Sequence, residues 1–167
     1  EITEVIYACH NGVFCMSRAI DGLVETSSSL ARVIVKEGKF VTQSLQRSST
    51  ESGKMDVAHT VAAPFRLANC TVEQGGSYPG WAPNPKSEIL DLMVAKYTNL
   101  FGEAPTVAAI HAGLECGLLG ERYPGLDMIS FGPTIKGPHS PDERVGIKSV
   151  QKFWNFLVDI LMDTPKK

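Results

Sequence analysis

The sequence predicts an α/β fold in two parts, and three observations indicate it. Residues 23–35 and 40–47 are β-branched, partly alternating segments joined by Lys-Glu-Gly-Lys, a pattern typical of a β-hairpin. A proline- and glycine-rich stretch at 75–85 then interrupts the periodic pattern, as domain boundaries commonly do. Beyond it helical patterns alternate with short apolar runs, which is the rhythm of an α/β layer.

The first part is expected to be half of an α/β sandwich. It opens on the apolar run 5–8, which predicts a strand before the hairpin. After the hairpin, Ser49 or Thr50 is a plausible N-cap for a helix that Pro64 should kink or divide. Residues 70–73 predict one more short strand.

The second part is expected to alternate helices with buried strands. The spacing predicts a helix over 86–101, stopped by Gly102, and two wholly apolar strands over 106–110 and 127–131. An amphipathic helix over 146–162 closes the chain. Its expected buried residues are Val150, Phe153, Trp154, Leu157 and Leu161.

Composition argues against two classes of partner. Sixteen basic and 18 acidic residues give a formal net charge of −2 without a basic stripe, so nucleic acid is not an expected partner. No apolar run approaches the ~20 residues that span a bilayer. The four cysteines show no metal-knuckle spacing and are expected to be reduced, which favours a cytoplasmic protein.

Two loops are candidates for chemistry because each follows a predicted buried strand, where ligands collect in open α/β sheets. They cover residues 111–117 and 132–144. In the second, His139 stands in a Gly-Pro-His-Ser-Pro frame that would hold an imidazole stiffly for a metal, with Asp142 and Glu143 near enough to orient the ring. The alternative is a surface histidine beside a solvated charge cluster.

Three motifs carry a resemblance to a known family. His-Ala-Gly-Leu-Glu-Cys-Gly at 111–117, Pro-Gly-Leu-Asp-Met-Ile-Ser-Phe-Gly-Pro at 124–133 and His-Ser-Pro-Asp-Glu-Arg at 139–144 resemble the C-terminal signature of aminoacyl-histidine dipeptidases. These are carnosinase-like peptidases that use two zinc ions. Upstream segments, among them Ser-Tyr-Pro-Gly-Trp at 77–81, fit the same enzymes.

The resemblance implies a fragment of a larger subunit. Residues 1–75 would be the second half of a lid domain that makes a homodimer, and residues 76–167 the C-terminal part of a zinc-peptidase-like catalytic α/β domain. His139 would be the last metal ligand. The remaining ligands and the general base would lie in polypeptide that precedes this chain, so the chain alone is expected to be inactive.

Substrate recognition is assigned to Arg47, Glu115 and His111. A guanidinium binds a carboxylate through two parallel hydrogen bonds, so Arg47 would hold the C-terminus of a dipeptide and Glu115 its free amine. The alternatives are a solvated strand-end arginine and an acid favoured by a helix N-terminus. His111 and Cys116 also allow a second reading, as the base and nucleophile of a thiol hydrolase.

The function that these features predict is metal-dependent hydrolysis of Xaa-His dipeptides of the carnosine type by a complete enzyme. A different class of function remains open, in which the chain is a non-catalytic module that associates with itself through exposed strand edges.

Overall fold

The computed structural model describes residues 2–109 and 115–163, which fold into two compact units. The first contains the described residues of Glu1–Pro83 and Ala108–Leu126, and the second those of Asn84–Val107 and Asp127–Lys167. Helices and strands occur in both units, so the predicted α/β class is confirmed. The predicted domain boundary after residue 75 stays a prediction.

The first unit contains a three-stranded antiparallel sheet. Its strands are β1 (Gly12–Met16), β2 (Val24–Lys36) and β3 (Lys39–Ser48), with β2 in the centre. β2 and β3 form the predicted hairpin. Glu37 and Gly38 form its turn with φ angles of 52° and 71°, because a two-residue loop between twisted strands requires positive φ at both positions.

The chain begins with a helix rather than the predicted strand over residues 5–8. This helix, α1 (Ile2–Ala8), places Val5 against the buried Cys9 and the rest of the core, while Tyr7 is 95% exposed. Alternating strand geometry would have put Val5 and Tyr7 on the same face. The prediction failed because a short apolar run does not distinguish the two periods.

A long helix, α2 (Glu51–Leu67), covers the sheet. It begins at the predicted N-cap Thr50, whose hydroxyl accepts a hydrogen bond from the Gly53 amide. Pro64 does not divide it: the helix continues for three further residues beyond the proline. Its buried face forms the core of the unit, with Val57, Val61 and Phe65 beside Cys9.

The strand predicted over residues 70–73 is absent from the described structure. Cys70 and Val72 instead pack their side chains against the core that α2 supplies, and the Cys70 amide donates to the Phe65 carbonyl at 2.9 Å. Their apolar character is thus explained by packing beneath α2 rather than by a sheet.

The second unit is built on two helices, α3 (Glu88–Phe101) and α5 (Ile147–Met162). Ser87 caps the start of α3, and the left-handed Gly102 ends the helix at the residue that the sequence predicted. Aromatic rings join the helices: Phe156 meets Tyr97 at 5.3 Å between centroids and Phe131 at 5.6 Å.

Ion pairs reinforce the same helix pair. The Lys96 ammonium contacts Asp163 at 2.5 Å and Asp159 at 3.1 Å, and hydrogen bonding to these two carboxylates raises the pKa of Lys96. Lys152 pairs with Glu103 at 2.7 Å, which raises the pKa of the lysine and lowers that of the glutamate. The lysines therefore hold α3 and the segment after it against α5.

The two apolar strands predicted for this region are not observed. Residues 106–109 and 127–131 form no ladder with any described part of the chain, and Ile110 lies outside the described residues. The second sheet is instead a two-stranded ribbon of β4 (Ile135–Lys136) and β5 (Arg144–Val145). The apolar composition of these segments was not enough to predict strands, because a strand also requires a neighbouring strand with which to form hydrogen bonds.

The predicted burial of α5 is also partly wrong. Phe156 is the residue of this helix that is fully buried in the described structure, whereas Val150, Trp154 and Leu161 are exposed by 40%, 60% and 61%. The helix packs through the face that carries Phe153 and Phe156. Val150, Trp154 and Leu161 lack a covering element within the described ranges.

Candidate functional site

His139 stands at the tip of a tightly bonded loop between β4 and β5. Gly137 and His139 both adopt left-handed φ angles, of 60° and 64°. Ser140 turns back through its hydroxyl, which donates to the Gly137 carbonyl at 2.8 Å, and the Glu143 amide donates to the Ser140 carbonyl at 3.1 Å. These bonds fix the backbone and leave the His139 side chain exposed.

Glu143 stabilises this loop in a way that the sequence did not predict. Its carboxylate accepts a hydrogen bond from the backbone amide of His139 at 2.7 Å. The predicted role of Glu143 was to orient the imidazole ring of His139. In the structure its carboxylate oxygen Oε2 instead binds the backbone amide of that residue. Because a left-handed residue is uncommon outside glycine, a charged acceptor on its amide helps to hold the conformation.

The base of the loop is attached to the start of α5. The Gly146 amide donates to the Thr134 carbonyl at 3.0 Å, and the Thr134 amide donates to the Ser149 hydroxyl at 3.0 Å. Ser149 in turn donates to the Gly146 carbonyl at 2.6 Å. The histidine is therefore presented by a short ribbon whose two ends are anchored on one helix.

His139 can supply one donor to a metal, and the described chain does not supply the rest. In residues 2–109 and 115–163, no three His, Cys, Asp or Glu side chains come together in a group that could hold an ion. Zinc sites in proteins need three or four protein donors. An exposed imidazole on a stiff loop could fill one position of a metal site whose other donors came from elsewhere, and the predicted metal role of His139 stays a prediction.

Arg47 lies on β3 in the first unit, beside a cleft of about 940 Å³. Its backbone pairs with Ser27 and its side chain is exposed. Lys54, also on the cleft wall, is engaged by Glu51 at 2.6 Å and by the Tyr78 carbonyl at 2.8 Å. In the described part of the chain Arg47 itself forms no ion pair, so its guanidinium is the cation that an anionic ligand could reach.

Glu115 is the first residue of helix α4 (Glu115–Arg122), and it is exposed. The helix approaches the segment 79–80 so closely at Gly117 that a side-chain carbon there would lie 2.5 Å from the Pro79 carbonyl oxygen. Gly80 in turn approaches the backbone of Ser48 and Ser49. A side-chain carbon at Gly80 would lie 2.7 Å from the Ser48 carbonyl oxygen and 2.7 Å from that of Ser49. The absence of a side chain at Gly80 and Gly117 thus allows three backbone segments to pack closely together. They are the end of β3 with Ser49, the segment 79–80 and the start of α4.

This stack joins backbone segments that are adjacent in sequence to two of the predicted substrate residues. Arg47 immediately precedes the Ser48 at one end, and Glu115 lies two residues before the Gly117 at the other. Both belong to the first unit, whereas His139 belongs to the second. His111 lies outside the described residues. Cys116 is a free, half-buried cysteine on α4, and nothing described pairs it with a base.

Asp127 has a structural role that the sequence did not reveal. Its carboxylate accepts hydrogen bonds from the Ile89 amide at 3.2 Å, the Ser87 hydroxyl at 2.9 Å and the Asn84 side-chain amide at 3.2 Å. The bond from the Ile89 amide is the main reason that the pKa of Asp127 is lowered. No local signal in the sequence marks this role, because Asn84 and Ser87, whose side chains donate to Asp127, lie 43 and 40 residues away along the chain.

Comparison with known proteins gives strong matches, although no family model matches the chain. The sequence is 41% identical over 164 residues to the cytosol non-specific dipeptidase of Escherichia coli K12, covering 98% of this chain and 34% of that protein. The fold matches the crystal structure of an aminoacylhistidine dipeptidase from Vibrio alginolyticus with a TM-score of 0.82. That match has 43% identity and covers 99% of this chain and 34% of the other.

Both relatives are dipeptidases, so the class of protein to which this chain is related is that of the peptide hydrolases. Within that class, the predicted resemblance to the aminoacyl-histidine dipeptidases is confirmed. The chain spans about a third of the length of the relatives it matches. No helix in the described ranges has both the length and the apolar character needed to cross a bilayer.

Proposed function

We propose that this chain is the C-terminal third of a metal-dependent dipeptidase that hydrolyses Xaa-His dipeptides. It contributes His139 as one metal ligand, and Arg47, Glu115 and His111 to the substrate pocket. The observation that carries the proposal is the extent of the similarity: identity above 40% runs over nearly the whole chain, and the fold superimposes with a TM-score of 0.82.

The proposed metal role of His139 is supported by the way the loop presents it. A histidine that binds a metal should be accessible to the metal and its other ligands. It should also be held in one conformation, so that little conformational entropy is lost on binding. The side chain is exposed, and Glu143 and Ser140 fix the backbone on either side. Two zinc ions in the complete subunit would acidify a water molecule and polarise the scissile carbonyl.

The roles proposed for Arg47 and Glu115 rest on charge and location. A free dipeptide carries a carboxylate at one end and an ammonium group at the other, so a pocket for it needs one cation and one anion. The Arg47 guanidinium would take the carboxylate in a two-bond fork, and the Glu115 carboxylate would take the amine. Their elements meet through Gly80 and Gly117, which supports a shared pocket.

The remaining parts of the proposal concern the whole enzyme. Residues 1–75 would complete a lid domain that makes the homodimer, and residues 76–167 the catalytic domain. The general base and the other metal ligands would be supplied by the two thirds of such a subunit that this chain does not match. The name of the Escherichia coli relative supports a cytoplasmic location.

The test compares two histidine replacements in the full-length polypeptide that carries this chain. His139→Asn removes the imidazole but keeps a residue type that tolerates the left-handed φ of 64°. Hydrolysis of β-alanyl-histidine should fall by more than about 100-fold, because losing a ligand should exceed the 10–100-fold effect of losing a ligand's supporting partner. Bound zinc, measured by mass spectrometry, should fall with it.

His59→Asn is the matched control, because His59 is also exposed but lies on α2. It should leave both zinc content and hydrolysis unchanged. Hydrolysis that resists chelators and survives His139→Asn would exclude the proposed metal role. A loss of activity equal in the two variants would point to a general effect of histidine removal instead.

A second candidate function is self-association without catalysis. The observation that favours it is that β3 pairs only with β2 in the described sheet, and that the hairpin exposes Val35 by 70%, Val41 by 48% and Leu45 by 48%. Unpaired strand edges with apolar side chains promote pairing between chains. A dimer that forms without metal and dissociates on Val41→Lys supports this second function when the full-length polypeptide that carries the chain does not hydrolyse β-alanyl-histidine.

A further inference from the structure

Lys54 is a largely buried cation near the start of α2. It is the fourth residue of that helix, and its side chain is 13% exposed. A cation is disfavoured there, because the first turn of a helix already carries partial positive charge. Burial adds a further cost, since an ammonium group gives up strong hydration. The position of Lys54 therefore needs an explanation other than the stability of α2.

The contacts of the Lys54 ammonium group provide one. It pairs with the Glu51 carboxylate at 2.6 Å, but Glu51 is 63% exposed, and ion pairs of this kind contribute little to stability. It also donates to the Tyr78 carbonyl at 2.8 Å, 24 residues away along the chain. Between described residues, this is the one hydrogen bond that reaches the segment 75–83. Lys54 thus ties that segment to α2.

Residues 78–80 form a short stretch that we call the spacer, because it lies between the end of β3 and the start of α4. A side-chain carbon at Gly80 would lie 2.7 Å from the Ser48 carbonyl oxygen, and one at Gly117 would lie 2.5 Å from that of Pro79. Contacts this close leave no room for another group between the segments. A displacement of the spacer would therefore move the end of β3 relative to the start of α4.

We propose that Lys54 is a positioning residue of the dipeptide site, because it fixes the spacer and with it the separation of Arg47 from Glu115. Arg47 directly precedes the last residue of β3, and Glu115 is the first residue of α4. The inference rests on the proposed function, in which these two side chains bind the carboxylate and the amine of the substrate. Lys54 acts through the spacer, since its ammonium group is already shared between a carboxylate and a carbonyl.

A fixed separation matters because a dipeptide is bound at both ends. Once its carboxylate is on Arg47, binding of its amine to Glu115 is intramolecular, and the gain in affinity is largest when the distance between the two sites matches the ligand. One extended residue spans about 3.3–3.6 Å, so a single amino acid is too short by that amount to reach both sites. The affinity for a dipeptide should thus depend on Lys54, and the affinity for a single amino acid should not.

The experiment uses the full-length polypeptide that carries this chain and compares a two-ended with a one-ended ligand. The KM of β-alanyl-histidine and the Ki of free histidine as a competitor are measured in the parent and in Lys54→Met, whose unbranched side chain lacks the ammonium group. The KM should rise about tenfold or more while kcat changes less than about threefold, because binding shared by the ground and transition states is lost. The Ki should change less than about twofold, because free histidine gains nothing from the fixed separation. A smaller folded fraction would lower kcat and leave both constants unchanged.

Three variants separate the two contacts of Lys54 from a general effect of charge. Lys54→Arg keeps a cationic donor and should hold the KM within about threefold of the parent value. Glu51→Gln removes the ion pair but leaves the bond to the Tyr78 carbonyl, so it should raise the KM less than about twofold. Lys36→Met is the matched control, since Lys36 forms an exposed ion pair with Glu37 at 3.4 Å, and it should change neither constant.

Gly80→Ala tests the spacer by a second route and covers the case in which Lys54→Met does not fold. Its methyl group would meet the carbonyl oxygens of Ser48 and Ser49 at 2.7 Å, so the spacer must shift. The same rise in KM is expected, again without a rise in the Ki of histidine. Gly75→Ala adds a methyl group that meets nothing within 4 Å and should behave as the parent.

Three results would overturn the proposal. One is an unchanged KM in both Lys54→Met and Gly80→Ala. Another is a rise in KM that Glu51→Gln reproduces in full, which would assign the effect to the ion pair. The third is a parallel rise of the KM and of the Ki of histidine, which would show that the pocket as a whole is disturbed. In all three the parent still hydrolyses the dipeptide and the proposed function stands, whereas a parent that neither binds nor hydrolyses it would refute both.

Discussion

Replacing Gly117 with alanine should destabilise the first unit even though alanine is the better helix former. Gly117 is a buried residue inside α4. In an exposed helix the same change would stabilise by about 1 kcal/mol. Here the added methyl group would lie 2.5 Å from the Pro79 carbonyl oxygen and 3.3 Å from that of Gly80.

The magnitude follows from the distance that has to be recovered. Carbon–oxygen contacts across packed backbones are about 3.3–3.6 Å, so the α4 backbone or the 79–80 segment must move by about 0.8 Å or more. Both obstructing atoms are backbone oxygens, which cannot rotate away as a flexible side chain would. Overpacking of this kind costs about 1–3 kcal/mol. After the helix-propensity gain of about 1 kcal/mol, we expect a net loss of up to about 2 kcal/mol.

Urea unfolding of the isolated chain, followed by far-ultraviolet circular dichroism, measures this loss. Gly75→Ala is the control, because an added methyl group at Gly75 meets nothing within 4 Å. Its midpoint should stay near that of the unchanged chain. A Gly117→Ala variant that is more stable than the parent by the propensity difference would show that α4 does not press on the 79–80 segment, and the proposed neighbourhood of Arg47 and Glu115 would lose its structural basis.

Three further predictions test the core, a helix cap and a charged cap. Val57→Ala should cost about 2 kcal/mol in a urea titration, because two methyl groups of a side chain with 0% exposure leave a cavity that α2 cannot readily close; an effect below about 0.5 kcal/mol would contradict the described core. Thr50→Ala should cost about 1 kcal/mol by removing the acceptor of the Gly53 amide, while Thr50→Ser keeps it and should cost less than half as much. The pKa of Asp127 is lowered in the folded chain, so its contribution is present above the ordinary carboxyl pKa of about 3.9 and is lost as the pH falls through the lower, folded value. Asp127→Asn should therefore reduce the thermal midpoint at pH 7 more than at pH 3, and an equal reduction at both would argue against an ionised cap.

The elements that the sequence predicted correctly are those with local signals at both ends. The hairpin has a two-residue turn that requires positive φ, and α3 has a side-chain cap at Ser87 and a left-handed Gly102 at its end. Such signals act between residues that are close in sequence, so they do not depend on the tertiary contacts of the rest of the fold. The run at 5–8 has no such signal, and there the packing against Cys9 decided in favour of a helix.

The site was predictable to a similar extent and for a related reason. The stiff loop around His139 could be predicted because it is encoded locally, by Gly137 and the surrounding prolines. Neither the contact of Glu143 with the His139 amide nor the role of Asp127 could be read from spacing. Asp127 binds groups that lie 38 to 43 residues away along the chain, and such a distance is set by tertiary folding.

The errors in the second unit share one physical cause. Apolar residues at 127–131 predicted a buried strand, and the amphipathic pattern of α5 predicted burial of Trp154 and Leu161. Residues 127–131 nevertheless lack a ladder within the described ranges, and Trp154 and Leu161 are exposed by 60% and 61%. An apolar pattern records a preference for burial, and the partner that satisfies it can belong to another part of the subunit. If the proposed two thirds supply that partner, the amides of Met128, Ile129 and Ser130 should exchange with solvent within seconds in the chain alone and become protected in the full-length polypeptide, since ladder hydrogen bonds slow exchange. Amides that stay unprotected in the folded full-length polypeptide would show that no part of the subunit supplies the missing strand neighbour.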